Sequence, residues 1–105
     1  MFAKAVALDV NSGKVDLGIV ICTNGVGVTI AANKFKGIRA ALCLNVEMAE
    51  HARRHNGANV LCMGEINQSF EEAFKMVEKF VNTPIADEER HLRRIEQINS
   101  FEEEK

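Results

Sequence analysis

Three short apolar runs alternate with helical segments along this chain of 105 residues. The first run, residues 15–22 (VDLGIVIC), is almost continuously apolar, and residues 38–44 and 58–63 resemble it. Runs of this length and composition are typical of strands that are buried on both faces of a parallel sheet. The alternation of strands with helices therefore predicts an α/β fold built on a parallel sheet.

Helical segments lie between and around these runs. Residues 2–10 are typical of the tail of a helix, residues 28–35 predict a second helix, and Asn45 can cap a third that reaches about His55. Asp87 can cap a last helix over residues 87–101. The capping box of Ser69 and Glu72 starts another helix, whose helical spacing predicts a buried stripe of Phe70, Ala73, Phe74, Val77, Phe80 and Val81.

Composition and charge exclude several classes of protein. The chain is 47% hydrophobic and 27% charged, which is globular composition, and its net charge of −2 argues against a nucleic-acid partner. No apolar run reaches the roughly 18 residues of a membrane span, and the first residues, MFAK at 1–4, do not have the layout of a signal peptide. We therefore expect a cytoplasmic protein with no membrane partner, whose cysteines are free thiols and hold no metal.

Three strands make a thin sheet, since sheets usually contain about five or six. The run at residues 15–22 is apolar on both faces, as in an interior strand, yet it is the first strand of the chain. Exposed apolar edges are usually paired or covered. We therefore expect residues 1–105 to form a single domain that is incomplete at its N-terminus, with its open edge covered by another chain or by a preceding strand–helix–strand.

Cys22 ends the first predicted strand, where open α/β sheets bind their ligands. Backbone N–H groups at such a turn favour a thiolate and can stabilise an anion. Cys22 is thus a candidate base or nucleophile, with a purely structural cysteine as the alternative, whereas Cys43 and Cys62 are predicted to be core. The loop that follows is either an anion cradle or an ordinary turn, and it consists of Thr23, Asn24, Gly25, Val26 and Gly27.

Basic side chains at two helix ends are further candidates. His55 ends the third helix, where the helix dipole favours a protonated imidazole, although a solvated surface histidine is the alternative. Arg90 and Arg94 are four residues apart and share a helix face that suits a phosphate. Their alternative is a solvated face paired with neighbouring glutamates.

Together these pieces carry a resemblance. Residues 16–43, DLGIVICTNGVGVTIAANKFKGIRAALC, closely resemble type B ribose-5-phosphate isomerases, and galactose-6-phosphate isomerase subunits share parts of this stretch. The match continues through RRHN at residues 53–56 and ANVL at residues 58–61, and it ends with RHLRR at residues 90–94. The resemblance thus runs over nearly the whole chain in the same order.

The resemblance implies an aldose–ketose isomerase that needs no metal or cofactor, with helices on both faces of a Rossmann-like parallel sheet. It also implies a dimer or tetramer with its active site at the subunit interface and a phosphorylated pentose or hexose as substrate. Cys22 matches the cysteine that moves a proton between C1 and C2 through an enediolate, and residues 23–27 match the loop that stabilises the enediolate oxygen. His55 matches the histidine that opens the sugar ring. The substrate and phosphate contacts fall on Asn56, Arg90 and Arg94.

Departures from the family pattern leave a second interpretation open. The family begins with a strand–helix–strand that this chain lacks, and Thr23, Asn24 and Ile66 replace a glycine, a loop hydroxyl and an arginine. The main expectation is interconversion of ribose 5-phosphate and ribulose 5-phosphate. The alternative is an impaired or inactive truncated relative that acts as a sugar-phosphate-binding or partner subunit of a hetero-oligomer, with a full-length relative as its partner.

Overall fold

The structure, a computed structural model, describes residues 2–104, with side chains through Glu102. None of its helices is both long and apolar enough to cross a membrane. The elements in chain order are α1 (Phe2–Asn11), β1 (Gly18–Cys22), α2 (Val26–Ala32), β2 (Ala40–Leu42), α3 (Val46–Asn56), β3 (Val60–Gly64), α4 (Phe70–Asn82) and α5 (Glu89–Ser100), followed by a short 3-10 turn (Phe101–Glu104).

The three strands form one parallel sheet in the order β1-β3-β2. Cys22 lies opposite Gly64, and Leu42 lies opposite Cys62, so all three strands end at the same side of the sheet. We call this side the carboxyl edge and the side where the strands begin the amino edge. Within residues 2–104, β1 pairs with β3 alone, and its other side has no strand partner.

Helices cover both faces of the sheet, which confirms the predicted α/β architecture. On one face, α1 and α2 pack on β1 and β3 through small side chains such as Ala3, Ala7 and Ala32. On the other face, α3 and α4 bury Met76 and Phe80 against β3. Every residue of β3 is buried, because this central strand has a neighbour on each side and a helical layer on each face.

The predicted core stripe of α4 is wrong in three of its positions. Phe70, Phe74 and Val81 are exposed, whereas Phe80 is fully buried and Met76, which was not predicted, is buried beside it. The helical period was read correctly, but its phase is rotated, because both faces of α4 carry large apolar residues. A hydrophobic stripe alone cannot show which of two apolar faces meets the sheet.

Two of the three predicted helix caps are confirmed. The side chain of Asn45 accepts a hydrogen bond from the Met48 amide at 2.8 Å, and the Ser69 hydroxyl accepts one from the Glu72 amide at 3.1 Å. Asp87 does not cap the last helix, which begins two residues later than predicted. Glu88 occupies that cap position and makes no capping hydrogen bond with its side chain.

Candidate active site

Cys22 lies at the carboxyl edge as the last residue of β1, and it is exposed. The chain then turns through Thr23 and Asn24 into Gly25, which has a φ of 84° and stands just before α2. A positive φ of this size is favourable for glycine and strained for other residues. The predicted glycine turn after a strand-ending cysteine is therefore present in the structure.

The loop after Cys22 packs so closely on the end of β3 that two positions require glycine. A Cβ added to Gly64 would overlap the backbone of Asn24. A Cβ added to Gly25 would stand 2.6 Å from the Leu42 side chain and 3.0 Å from the Gly64 amide nitrogen. Sterics between two backbones thus fix the position of the loop relative to the sheet.

Hydrogen bonds from the segment after β3 hold the same loop. The Glu65 amide donates to the Cys22 carbonyl oxygen at 2.7 Å, and the Asn67 side-chain amide donates to the Asn24 carbonyl oxygen at 3.1 Å. The carbonyl oxygens of Cys22 and Asn24 are therefore already hydrogen-bonded within the chain.

Asn24 partly closes the loop with its own side chain. Its Oδ1 accepts the Val26 N–H at 3.0 Å, which is the geometry of an Asx turn. No residue in the described part of the chain accepts the Gly27 N–H. The predicted loop over residues 23–27 is shorter in the structure, because Val26 and Gly27 already belong to α2. The Gly27 amide is therefore a free donor in the first turn of this helix.

The other two thiols are inert by comparison. Cys43 and Cys62 are almost completely buried, as predicted for core cysteines. Burial raises the pKa of the Cys43 thiol to about 11, and the neighbouring Cys62 adds to the rise. A thiol with such a pKa is neutral near pH 7, so the exposed Cys22 is the cysteine placed for chemistry.

His55 lies at the amino edge, at the end of α3, and it belongs to a group of three histidines. Its ring stacks on His91 of α5 with a centroid distance of 4.4 Å and an angle of 7° between the rings. His51 meets it from the preceding turn of α3, edge to face, at 4.9 Å. No group of three or more His, Cys, Asp or Glu side chains among the described residues is arranged to hold a metal ion.

The helix dipole predicts a protonated His55, but the surroundings of this ring in the structure disfavour its positive charge. The pKa of His55 is lowered, first by desolvation and then by repulsion from His91, His51 and Arg54, while Glu88 opposes this only in part. Desolvation is the largest cause of the lowered pKa, and the three neighbouring groups that carry or can gain positive charge add to it. The structure favours a neutral imidazole.

Arg90 and Arg94 lie on α5 near the histidine group, and both are exposed. The Nε of Arg90 contacts a carboxylate oxygen of Glu88 at 3.1 Å, so the pairing that was the alternative interpretation is present for this residue. No residue that the structure describes forms an ion pair with Arg94. Exposed pairs of this kind are worth about 0–1 kcal/mol, so a phosphate can displace Glu88.

The predicted site residues fall into two groups at opposite edges of the sheet. Cys22 aligns with Gly64 at the end of β3, whereas Asn56 ends the crossover helix that leads into Val60 at the start of β3. Four residue steps along β3 already span about 13 Å. One chain therefore does not bring Cys22 and His55 together.

A cavity of about 480 Å³ lies beside β2 at the amino edge. Asn56 is one of its lining residues, but neither Cys22 nor His55 is. Most of its wall is apolar, including Ile38, Ile98 and Phe101, which does not suit a sugar phosphate. Its polar lining residues other than Asn56, which are Asn33, Arg39 and Glu102, were not among the predicted site residues.

Two residues that build the site were not singled out as functional from the sequence. His91 was placed in the RHLRR motif without a role, and its contact with His55 depends on how α5 crosses the end of α3. Gly64 directly follows the third predicted strand at residues 58–63 and was given no role. A glycine directly after a buried strand is a signal of close backbone approach and could have identified it.

Comparison with known proteins gives this arrangement a family context. Residues 1–98 match the family model described as Ribose/Galactose Isomerase. A ribose-5-phosphate isomerase B from Escherichia coli is 42% identical over 102 residues, which are 97% of this chain and 68% of that protein. Across the first four curated relatives, the chain spans 53–68% of their length.

Solved structures agree with the sequence comparison. The type B ribose 5-phosphate isomerase from Trypanosoma cruzi superposes with a TM-score of 0.97 at 42% identity, over 99% of this chain and 69% of that one. Ribose-5-phosphate isomerase B from Mycoplasma genitalium, solved with bound ribulose 5-phosphate, gives 0.92 at 42% identity, over 99% and 68% of the two chains. The predicted Rossmann-like fold is confirmed by these structures.

Proposed function

Because this chain belongs to the ribose/galactose isomerase family, we propose that it interconverts ribose 5-phosphate and ribulose 5-phosphate. The observation that carries this proposal is the exposed Cys22 at the carboxyl edge, followed by a turn into α2, where the Gly27 amide has no described acceptor. The bound ribulose 5-phosphate in the Mycoplasma genitalium relative supports the choice of substrate.

The central step is a proton transfer between two carbons. In the aldose-to-ketose direction, the Cys22 thiolate takes the proton from C2, and the electrons of that C–H bond form the C1–C2 double bond of an enediolate. Backbone N–H groups after Cys22, that of Gly27 in the first turn of α2 among them, stabilise the charge on the oxygen. The Cys22 thiol then returns the proton to C1, while the hydroxyl proton of O2 moves to O1 and C2 becomes the carbonyl carbon. Carbon C1 is reduced as C2 is oxidised, so the step needs no external redox cofactor.

The second group supplies ring opening and phosphate binding. The neutral imidazole of His55 can accept a proton from the sugar hydroxyl and pass one to the ring oxygen, and this exchange opens the furanose. Arg90 and Arg94 bind the phosphate from one face of α5, and Asn56 contacts the sugar beside His55. The lowered pKa of His55 supports this role, since a protonated ring cannot act as the base.

The distance between the Cys22 group and the His55 group makes a dimer part of this proposal. Cys22 and His55 are at opposite edges of the sheet in one chain, so a complete site needs Cys22 from one copy and His55 from another. A closed two-fold dimer would contain two such sites. We place this dimer in the cytoplasm, where the three free thiols stay reduced.

The test is an isomerase assay on the purified 105-residue chain, with ribose 5-phosphate as substrate and hydrogen exchange at C2 as a second readout. Replacing Cys22 with alanine should lower kcat by about 10³-fold, because general acid–base catalysis contributes 10²–10⁴-fold. Cys62→Ala is the matched control, because it removes a buried thiol from a neighbouring strand of the same sheet. Its rate should stay within a few-fold of the wild-type rate. A Cys22→Ala chain that exchanges the C2 proton at the wild-type rate would contradict the proposal.

A partner subunit of a hetero-oligomer is the second candidate function. The open side of β1 favours it, because a strand from an unlike chain could pair there. Co-expression with a full-length relative distinguishes the two functions. A chain that is active and associates only with itself excludes this candidate, whereas a folded chain that is active only in a mixed oligomer supports it.

A further inference from the structure

His91 is buried without the hydrogen bonds that a buried histidine usually makes. Its residue is 6% exposed, and neither Nδ1 nor Nε2 has a hydrogen-bond partner within the described chain. Glu88 approaches Nε2 only to 3.8 Å, which is too long for a hydrogen bond. Burying polar atoms in this way costs free energy, so a purely space-filling role would be served better by an apolar side chain.

The contact that His91 does make is with the His55 ring. The two imidazoles are stacked within 7° of parallel, with their centroids 4.4 Å apart. This geometry restrains the plane of the His55 ring, since rotation about its side-chain bonds would drive one ring into the other. The restraint comes from α5, the helix that also carries Arg90 and Arg94.

We infer that His91 is a positioning residue, whose buried ring fixes the plane in which His55 presents its nitrogens to the sugar. This inference rests on the proposed function for its catalytic meaning. It assigns no proton transfer to His91 itself. The flat face of His91 is the part that acts, so an aromatic ring without nitrogens should replace it.

The charged and titratable groups around the stack favour a neutral His55 ring. His51 and Arg54 face His55 from α3, and His91 faces it from α5; all three disfavour a positive charge on His55. Glu88, which precedes α5, is the opposing acidic group, and it also pairs with Arg90. A ring held flat against a second imidazole in this surrounding stays neutral to lower pH than a free histidine.

The experiment compares His91→Phe with His91→Leu. Both variants fill the space with an apolar side chain, but only phenylalanine offers a flat face. We expect His91→Phe to keep kcat within about 3-fold and His91→Leu to lose about 10-fold, with less effect on KM, because a small misplacement of a catalytic group is costly. Thermal unfolding of both variants identifies any loss that reflects folding alone.

A second readout does not depend on activity. In NMR spectra, the ring protons of His55 should keep their ring-current shift in His91→Phe and lose it in His91→Leu. The pKa of His55 should rise in both variants, because both remove the His91 imidazole that disfavours a positive charge on His55. If the wild-type chain lacks isomerase activity, the proposed function fails while this readout still tests the stack.

Two results would overturn the inference. Equal loss of kcat in both variants, with both folded, would mean that a nitrogen of His91 takes part directly. Wild-type kcat and an unchanged His55 spectrum in both variants would mean that His91 only fills space.

Discussion

The two edges of the sheet are built by different means. At the carboxyl edge, backbone contacts and glycines hold the Cys22 loop, and Gly64 leaves no room for a single added carbon. At the amino edge, contacts between side chains hold the site residues: His55 stacks on another ring, and Arg90 forms an exposed ion pair. Backbone sterics fix a position in an all-or-none way, whereas side-chain contacts allow graded adjustment.

This difference corresponds to the chemistry proposed for each edge. Proton transfer at C1 and C2 needs a thiolate and amide donors at fixed distances, which a backbone cradle supplies without reorganisation. Ring opening and phosphate binding use side chains instead, and the positions of His55 and Arg90 depend on contacts with α5 and with Glu88.

The largest expected effect tests whether the two edges meet across copies of the chain. Cys22→Ala and His55→Ala should each lower kcat by at least about 10²-fold. Unfolding the two variants together and refolding the mixture should recover about a quarter of the wild-type activity, because half of the dimers would be mixed and one of their two sites would be intact.

The control for this mixture is each variant refolded alone, which should show no recovery. An equally inactive mixture, with mixed dimers confirmed by mass spectrometry, would show that both residues of a site come from one chain. The comparison between the edges would then be between two independent places on the molecule.

Gly64→Ala should have the next largest effect. The added methyl group would overlap the backbone of Asn24, so the loop after Cys22 must move, and a shift of about 1 Å can lower kcat by about 10²-fold. Steady-state kinetics with ribose 5-phosphate measures this effect. Asn67→Ala removes only one hydrogen bond to the same Asn24 carbonyl and should cost much less. If the two variants were equally active, the loop would not be held by sterics.

The smallest effect concerns the helices that start at each edge. The Ser69 side chain caps α4 at the carboxyl edge, and Ser69→Ala should lower the free energy of unfolding by about 1 kcal/mol. Glu88 precedes α5 at the amino edge without capping it, so Glu88→Ala should change the free energy of unfolding by less than about 0.5 kcal/mol. Urea titrations of both variants measure the difference, and a reversed order would contradict it.

Much of the fold was predictable because its signals are local. Apolar runs identified all three strands, and Asn45 and Ser69 identified two helix starts. The exposed faces of α4 were not predictable, since Phe74 and Phe80 are equally apolar and only tertiary packing distinguishes them. Similarly, Asp87 and Glu88 are both acidic residues near a helix start, and the local sequence favours the wrong one.

The site was predictable as a set of residue types more than as an arrangement. Cys22 and its loop follow from the end of a parallel strand, and the structure agrees with that placement. The lowered pKa of His55 could not be predicted, because it comes first from desolvation and then from repulsion by groups such as His91 of α5, and the local sequence shows only the helix end. The separation of Cys22 from His55 follows from the direction of α3, which is a property of the topology.

The strand order has a consequence for the synthesis of the chain. β3 is the last strand in sequence, yet it lies between β1 and β2. Within the described residues, neither earlier strand has a strand partner until Val60–Gly64 has left the ribosome. The nascent chain therefore carries β1 unpaired while residues 23–64 are made, and both β1 and β2 unpaired while residues 43–64 are made. This is the period in which a chaperone would matter most.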